Sequence, residues 1–284
     1  MKKDVFLPDV LEKNNYTLTK EDLRDIDIQS VYTHDGVPVP RVSHILDRCL
    51  SKPGLINWAS KVGWKMKKIQ ETSLTIGSIV HSMIEYHLIH NRDKEVNMYD
   101  YDLDDYGREA VFTSYQNYKI WRNHLESTGN TINAIIGVEV PLTCEWYGGT
   151  CDCIMTINNA NYVIDFKTSK QISLEYPLQG CAYAWLINNG YCDICSHVEG
   201  VGILRFDKSN VGDFEEYFLN FHIPYQYNYL CKYTATFWSL VNSYYYILYS
   251  ETAFNETHNS DSCDIESIAK ELDTCREQDL LETF

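Results

Sequence analysis

The sequence predicts a mixed α/β protein, a central sheet flanked by helices, with helical additions at its N-terminal side. Three observations predict it. Segments of helical period fill residues 42–126. Short β-rich runs separated by turn residues follow over 133–167, and a further helix and two more strands come after them. No repeat and no low-complexity tract interrupts this order, which is that of an α+β core.

Each element has its own signal. Residues 1–40 are polar, include Val37-Pro38-Val39-Pro40, and read as an arm or small subdomain. Residues 42–50 read as a short helix capped by Ser43, broken by Pro53 and Gly54. Residues 55–70 carry Leu55, Trp58, Ala59, Val62, Met66 and Ile69 on one side and Lys61, Lys65 and Lys68 on another. A helix over 77–90 puts His81 and Glu85 on one face, four residues apart. Residues 106–126 form the next helix. Strands are expected over 133–140, 142–147, 150–157 and 161–167, with turns at Gly148-Gly149 and Asn158-Asn159. A helix over 176–188 has Pro177 in its first turn and Gly190 past its end. Strands over 199–206 and 214–221 precede a Tyr-rich helix near 225–250. Its rings read as core packing, with base stacking as the alternative. The main domain spans 41–250, and 251–284 is an acidic tail that is a candidate for disorder.

Composition narrows the classes of function. The 284 residues have a net charge of −16, which argues against coating nucleic acid through a basic surface. The tail holds ten acidic residues against two basic ones, so a local basic path elsewhere remains open. No apolar run nears the ~20 residues needed to span a bilayer. No apolar stretch follows the basic start, so no secretory leader is expected and the expected location is cytoplasmic, or the host cytoplasm for a viral protein. The ten cysteines read as free thiols. Cys192 and Cys195 form one Cys-x-x-Cys pair near His197, but no second close pair completes a cluster, so no iron–sulfur centre is expected.

The chemistry concentrates in 149–183. Asp165 and Lys167 fall on one face of an apolar strand that includes Val163, Ile164 and Phe166. Burying both charges is expensive unless they are paired or meet a metal. A hairpin around Asn158-Asn159 brings Asp152 nearly opposite Asp165, and two carboxylates that close call for a divalent cation. Oxygen ligands favour Mg²⁺ or Mn²⁺. An Asp–Asp–Lys set around such an ion suits phosphodiester hydrolysis.

These residues resemble a known family. Gly149-x-x-Asp152, then Asp165-x-Lys167, then Gln179-x-x-x-Tyr183 is similar to the PD-(D/E)xK nuclease superfamily. Its RecB-like branch adds a helix of the form Gly77-x-x-x-His81-x-x-x-Glu85 and includes Cas4-like, phage recombination and mitochondrial genome maintenance exonucleases. The stretch from Val42 to Trp58 resembles a helical segment of its phage members. The resemblance covers roughly residues 40–190; the proline of the family's name is absent, Cys151 preceding Asp152. It implies a restriction-endonuclease-like core and a metal-dependent DNA exonuclease of phage or viral recombination, repair or processing. Asp152, Asp165, His81 and the Phe166 carbonyl would bind Mg²⁺ or Mn²⁺, and Lys167 would act on the attacking water. Glu139 would assist through water, with Glu85 a further candidate. Gln179 and Tyr183 would face DNA or support the site, and Lys61, Lys65 and Lys68 would meet DNA phosphates or form a solvated face. The implied partners are DNA ends and a single-strand annealing or replication protein, with no membrane. A structure-specific endonuclease on the same core and a non-catalytic binding or inhibitor module are the alternatives.

Overall fold

The computed structural model describes residues 30–251, apart from the side chains of residues 53–55. Most of the expected arm, residues 1–29, and nearly all of the acidic tail lie outside the described residues. What remains of the arm is a hairpin of β1 (Thr33–His34) and β2 (Val37–Pro38). It is tied to the sheet by a Tyr32–Thr150 hydroxyl contact of 2.9 Å and a bond from Gly148 N–H to Pro40 C=O.

Three layers build the molecule. The middle layer is a five-stranded sheet in the order β3 (Ile132–Thr143), β4 (Gly148–Ile157), β5 (Ala160–Lys167), β6 (Gly200–Phe206), β7 (Phe214–Asn220). Every pairing is antiparallel except β5 with β6. A parallel pair needs a long crossover, and α5 (Glu175–Asn188) lies within it. One face of the sheet is covered by α1 (Val42–Cys49), α5 and α6 (224–251), which pack on Val140, Ile154, Val163 and Ile203. The other is covered by α3 (Met66–His90) and α4 (Asp105–Ser127), on Met155, Ile164, Phe166 and Phe206. The fold is thus mixed α/β, as its pattern predicts. Of the three inner strands, β5 and β6 pack between the two helical layers, which explains the apolar runs at Val163-Ile164 and residues 201–204.

Local differences from the expected elements have identifiable causes. Ser43 does not cap α1. Arg41 holds the N-cap position, its extended backbone bridging Gly148. The expected 55–70 helix breaks at Gly63, whose φ of 61° is left-handed. The chain there forms α2 (Pro53–Val62), a 3₁₀ turn (Gly63–Lys65), then α3 without interruption to His90. Lys61, Lys65 and Lys68 therefore sit on three elements rather than along one helix face. The strands expected at 133–140 and 142–147 are one edge strand, β3, which absorbs Pro141 because an edge needs no donor there. Gly148-Gly149 lie inside β4, and the turn falls at 144–147, closed by Cys144 N–H to Tyr147 C=O. Asn158 and Asn159 do make the two-residue turn, both left-handed. In α6, Phe237, Trp238, Tyr244 and Tyr245 are buried, while Tyr225 and Tyr229 are exposed. Among the described residues no helix is long and apolar enough to cross a membrane.

The loop between β6 and β7 is held by a polar clamp. Asn117 of α4 is fully buried. Its amide donates to the carbonyls of Asp207 and Asn210, and its carbonyl accepts from Gly212 N–H. Ser114 also donates to the Asp207 carbonyl. Arg205 is 5% exposed and spans Asp207, Asp213 and Glu215. Burial pushes the Asp207 carboxyl up, but the N–H groups of Ser209 and Asn210 and the Arg205 charge outweigh it, so it titrates below the ordinary value.

Two outcomes are expected. Asn117→Ala removes three hydrogen bonds and leaves the Asn210 carbonyl and the Gly212 N–H without their partner, Ser114 still serving Asp207. It should cost roughly 2–4 kcal/mol in urea unfolding, since each unmet buried group costs about 1–3 kcal/mol. Asp207→Asn should destabilise the fold at neutral pH. Because the folded pKa is depressed, the wild-type advantage exists above 3.8 and disappears as pH falls through the lower folded value. Midpoints of both proteins across an acid series would check this.

Candidate metal centre

The candidate site forms where the ends of β4 and β5 meet α3. Antiparallel register pairs Cys153 with Ile164, so Asp152 and Asp165 are the next residues along. Asp152 accepts a bond of 2.8 Å from Phe166 N–H, which fixes its carboxylate at the strand end. The Phe166 ring packs into the core against His81, Tyr118 and Phe206. On α3, His81 sits one turn past Gly77 and brings Nδ1 to 3.6 Å from Asp152 Oδ2.

The third member comes from β3. Val138 pairs with Cys153 and Val140 with Cys151, which places Glu139 across from Asp152. Two register shifts precede it, and Glu139 itself has a φ of 49°. That left-handed backbone costs a non-glycine residue about 1–2 kcal/mol. Such strain is characteristic of functional positions. Although Glu139 is exposed, desolvation by the surrounding protein, then the nearby Asp152 and Glu85 carboxylates, raise its pKa from 4.5 to about 7. One ligand atom each from His81, Glu139 and Asp152 lies within 4.8 Å of the others.

Beside them a buried carboxylate, Asp165, pairs with the half-buried Lys167. Lys167 Nζ is 2.7 Å from Asp165 Oδ1 and 3.2 Å from Gln179 Oε1, and it lies 5.0 Å from the centre of the Tyr176 ring. Burial works against the Lys167 charge, but Asp165 and Asp152 outweigh it and hold its pKa above the ordinary lysine value. Burial pushes the Asp165 carboxyl the other way, upward. Its second oxygen, Oδ2, is buried with no hydrogen-bond partner.

The expected residues therefore divide. His81, Asp152 and Glu139 come together, with Glu139 inside the group rather than outside it. Asp165 is not one of the three; its Oδ1 is turned to Lys167. Gln179 and Tyr183 support the site from behind. Tyr183 is 4% exposed, receives a bond from Gln179 Nε2 at 3.4 Å, and its hydroxyl occupies the space where a Gly149 β-carbon would stand, 2.5 Å away. Glu85 and Phe166 line the same cavity, of about 1060 Å³. Lys61, Lys65 and Lys68 are exposed and do not line it. Among the lining residues not singled out as site residues from the sequence are Trp58, Tyr176 and Lys208. Tyr176 stands three residues before Gln179, a helical spacing that could have found it. Lys208 carries no local signal. Cys195 is buried and donates to the His197 carbonyl.

The donor set fits a divalent cation. Two carboxylates and an imidazole converge, their charges crowd one another, and a buried carboxylate oxygen beside them lacks a partner. His81, Glu139 and Asp152 would hold the ion, with Asp165 opposite Asp152 on the neighbouring strand.

No family model matches the chain, and no curated protein matches it. One solved structure, titled "Crystal structure of SSO0001", is 12% identical over 51% of this chain and 65% of that one, with a TM-score of 0.24. This chain thus spans less than two thirds of that structure, and a score so low carries no argument.

Metal binding has a signature independent of any reaction. In EDTA, Glu139→Gly should raise the thermal midpoint, because it removes both the strained backbone and one crowded carboxylate. Glu139→Gln should raise it less, since the strain stays. Mn²⁺ should raise the wild-type midpoint and move neither variant. An equal Mn²⁺ shift in all three would remove Glu139 from the centre.

Proposed function

We propose that this protein is a divalent-metal-dependent nuclease, with Mg²⁺ or Mn²⁺ as the ion and a DNA end as the favoured substrate. The observation that carries the proposal is the convergence of His81, Glu139 and Asp152 beside a half-buried lysine whose buried carboxylate partner keeps one oxygen unpaired. The order of motifs from Gly77 to Tyr183, which resembles RecB-like nucleases, supports it.

The side chains divide the work of phosphodiester hydrolysis. His81, Glu139 and Asp152 would hold a cation, which when bound would supply positive charge to polarise a phosphoryl oxygen and make a nearby water more acidic. Lys167, held by Asp165 and Gln179, stands where it can orient the attacking water and stabilise charge building on the phosphate. Asp165 and Gln179 fix the ammonium from two sides, and the Tyr176 ring covers it. The Phe166 N–H holds the Asp152 carboxylate in a single orientation. The hydroxyl of Tyr183 braces Gln179 at the rear.

The test is degradation of end-labelled single- and double-stranded DNA and of a covalently closed circle, in Mg²⁺, Mn²⁺ or EDTA. Wild type should remove label only with metal and leave the circle intact. Lys167→Ala should lose about 10²–10³-fold or more in rate, the scale of removing one charge-stabilising donor, while still binding Mn²⁺ by calorimetry. Nicking of the circle would move the assignment to an endonuclease. Intact linear and circular DNA in both metals would overturn the nuclease reading.

A further inference from the structure

The cavity holds a second lysine that the proposed chemistry does not use. Lys208 lies in the loop after β6 and lines the same cavity as His81, Glu85 and Asp152. It is half-buried, yet it makes no hydrogen bond or ion pair with a described residue. Burial lowers its pKa below the ordinary lysine value, and only its neighbour Asp207 acts in the opposite direction. Lysine ammonium groups on a protein surface normally stay in water. A desolvated one without a partner weakens the fold, so a structural role does not account for it.

The loop that carries Lys208 is unusually well fixed. Asp207 accepts from the backbone N–H groups of Ser209 and Asn210, closing a turn around Lys208. Asn117 and Ser114, both fully buried, grip the loop from α4, and Arg205 grips Asp207 from below. Most surface loops are mobile because few such bonds hold them. Here buried polar side chains from two elements anchor the backbone on both sides of one unpaired lysine. A fixed backbone reduces the ordering entropy that remains to be lost when the lysine meets a ligand.

We propose that Lys208 is a phosphate anchor, binding a second phosphate of a nucleic-acid strand whose scissile phosphate lies at His81, Glu139 and Asp152. This rests on the reading of the site as one that meets phosphodiesters. A lysine is a point charge suited to such a contact. Lys167 cannot serve both phosphates, because Asp165 and Gln179 hold it beside the centre. The acidity of the chain as a whole makes a single placed cation matter more for retaining a strand.

The test is equilibrium binding of fluorescent oligonucleotides to the full chain in Ca²⁺ over a salt series, with cleavage in Mn²⁺ measured on the same samples. Lys208→Gln should weaken binding about tenfold at low salt and reduce the log Kd versus log salt slope by about 0.7–0.9, the release expected from one phosphate contact. Lys208→Arg should keep both close to wild type. The thermal midpoint of Lys208→Gln should be equal to or above that of wild type, which a structural lysine would not give. Oligonucleotides with a 5′-phosphate or a 5′-hydroxyl locate the contact. A larger loss on the phosphorylated strand places it at the terminal phosphate, and an equal loss places it within the strand. Unchanged affinity and slope in Lys208→Gln, a lowered midpoint, or no binding by wild type would overturn the anchor. Lys208-dependent binding without cleavage by wild type would instead remove the nuclease reading and leave the anchor standing.

Discussion

The pairing of Lys167 with Asp165 constrains the rest of the structure. Both residues sit near the end of β5, an inner strand covered on both faces, and Asp165 is 2% exposed. Removing two charges from water costs several kcal/mol per ion unless geometry and further hydrogen bonds compensate. The fold supplies them from separate elements: Gln179 and Tyr176 from α5, and the Asp152 carboxylate from β4. The parallel pairing of β5 with β6 is what brings α5 back across the sheet to do so. One oxygen of Asp165 is left unmet, and Asp165 stands opposite Asp152, a member of the only candidate group of three metal-ligand residues found among the described residues. Breaking the pair from one side would leave an uncompensated buried charge, the more damaging outcome.

A second constraint acts through β3. An edge strand can absorb irregularity that an inner strand cannot, because half of its backbone groups need no ladder partner. β3 uses this freedom twice in register shifts, and then at Glu139, where the backbone turns left-handed opposite Asp152. The result is a third candidate ligand beside His81 and Asp152, with its charge crowded by Asp152 and Glu85. Stability is given up locally to gather charge, and the surrounding packed strands hold the strained residue in place.

The two faces of the sheet contribute differently. The face under α1, α5 and α6 supplies the braces: Gln179, Tyr183 packed on Gly149, and the aromatic wall of Tyr147, Phe237 and Trp238. The face under α3 and α4 supplies His81 directly, and supplies Lys208 indirectly through the Asn117 clamp. Both sets converge at one end of the sheet, around the cavity.

Much of this could be read along the chain, because it depends on local rules. Alternation placed Asp165 and Lys167 on one face, the Asn158-Asn159 turn set Asp152 nearly opposite Asp165, and helical spacing put His81 four residues from Glu85 and Gln179 four from Tyr183. The mixed α/β class followed from the order of periods. Elsewhere, local rules failed where distant contacts intervened. Gly148-Gly149 looked like a turn but serves the approach of Tyr183, and the lysines of 61–68 looked like one face until Gly63 broke the helix. The left-handed Glu139 and the placement of Lys208 have no local signature at all. The first depends on register with β4, and the second on buried side chains of α4 some ninety residues earlier. The sequence by itself determined that Asp165 and Lys167 share one face of an apolar strand and that Asp152 faces that strand. Only the tertiary structure decided which of them converge, because convergence is set by strand register and by helices returning across the sheet.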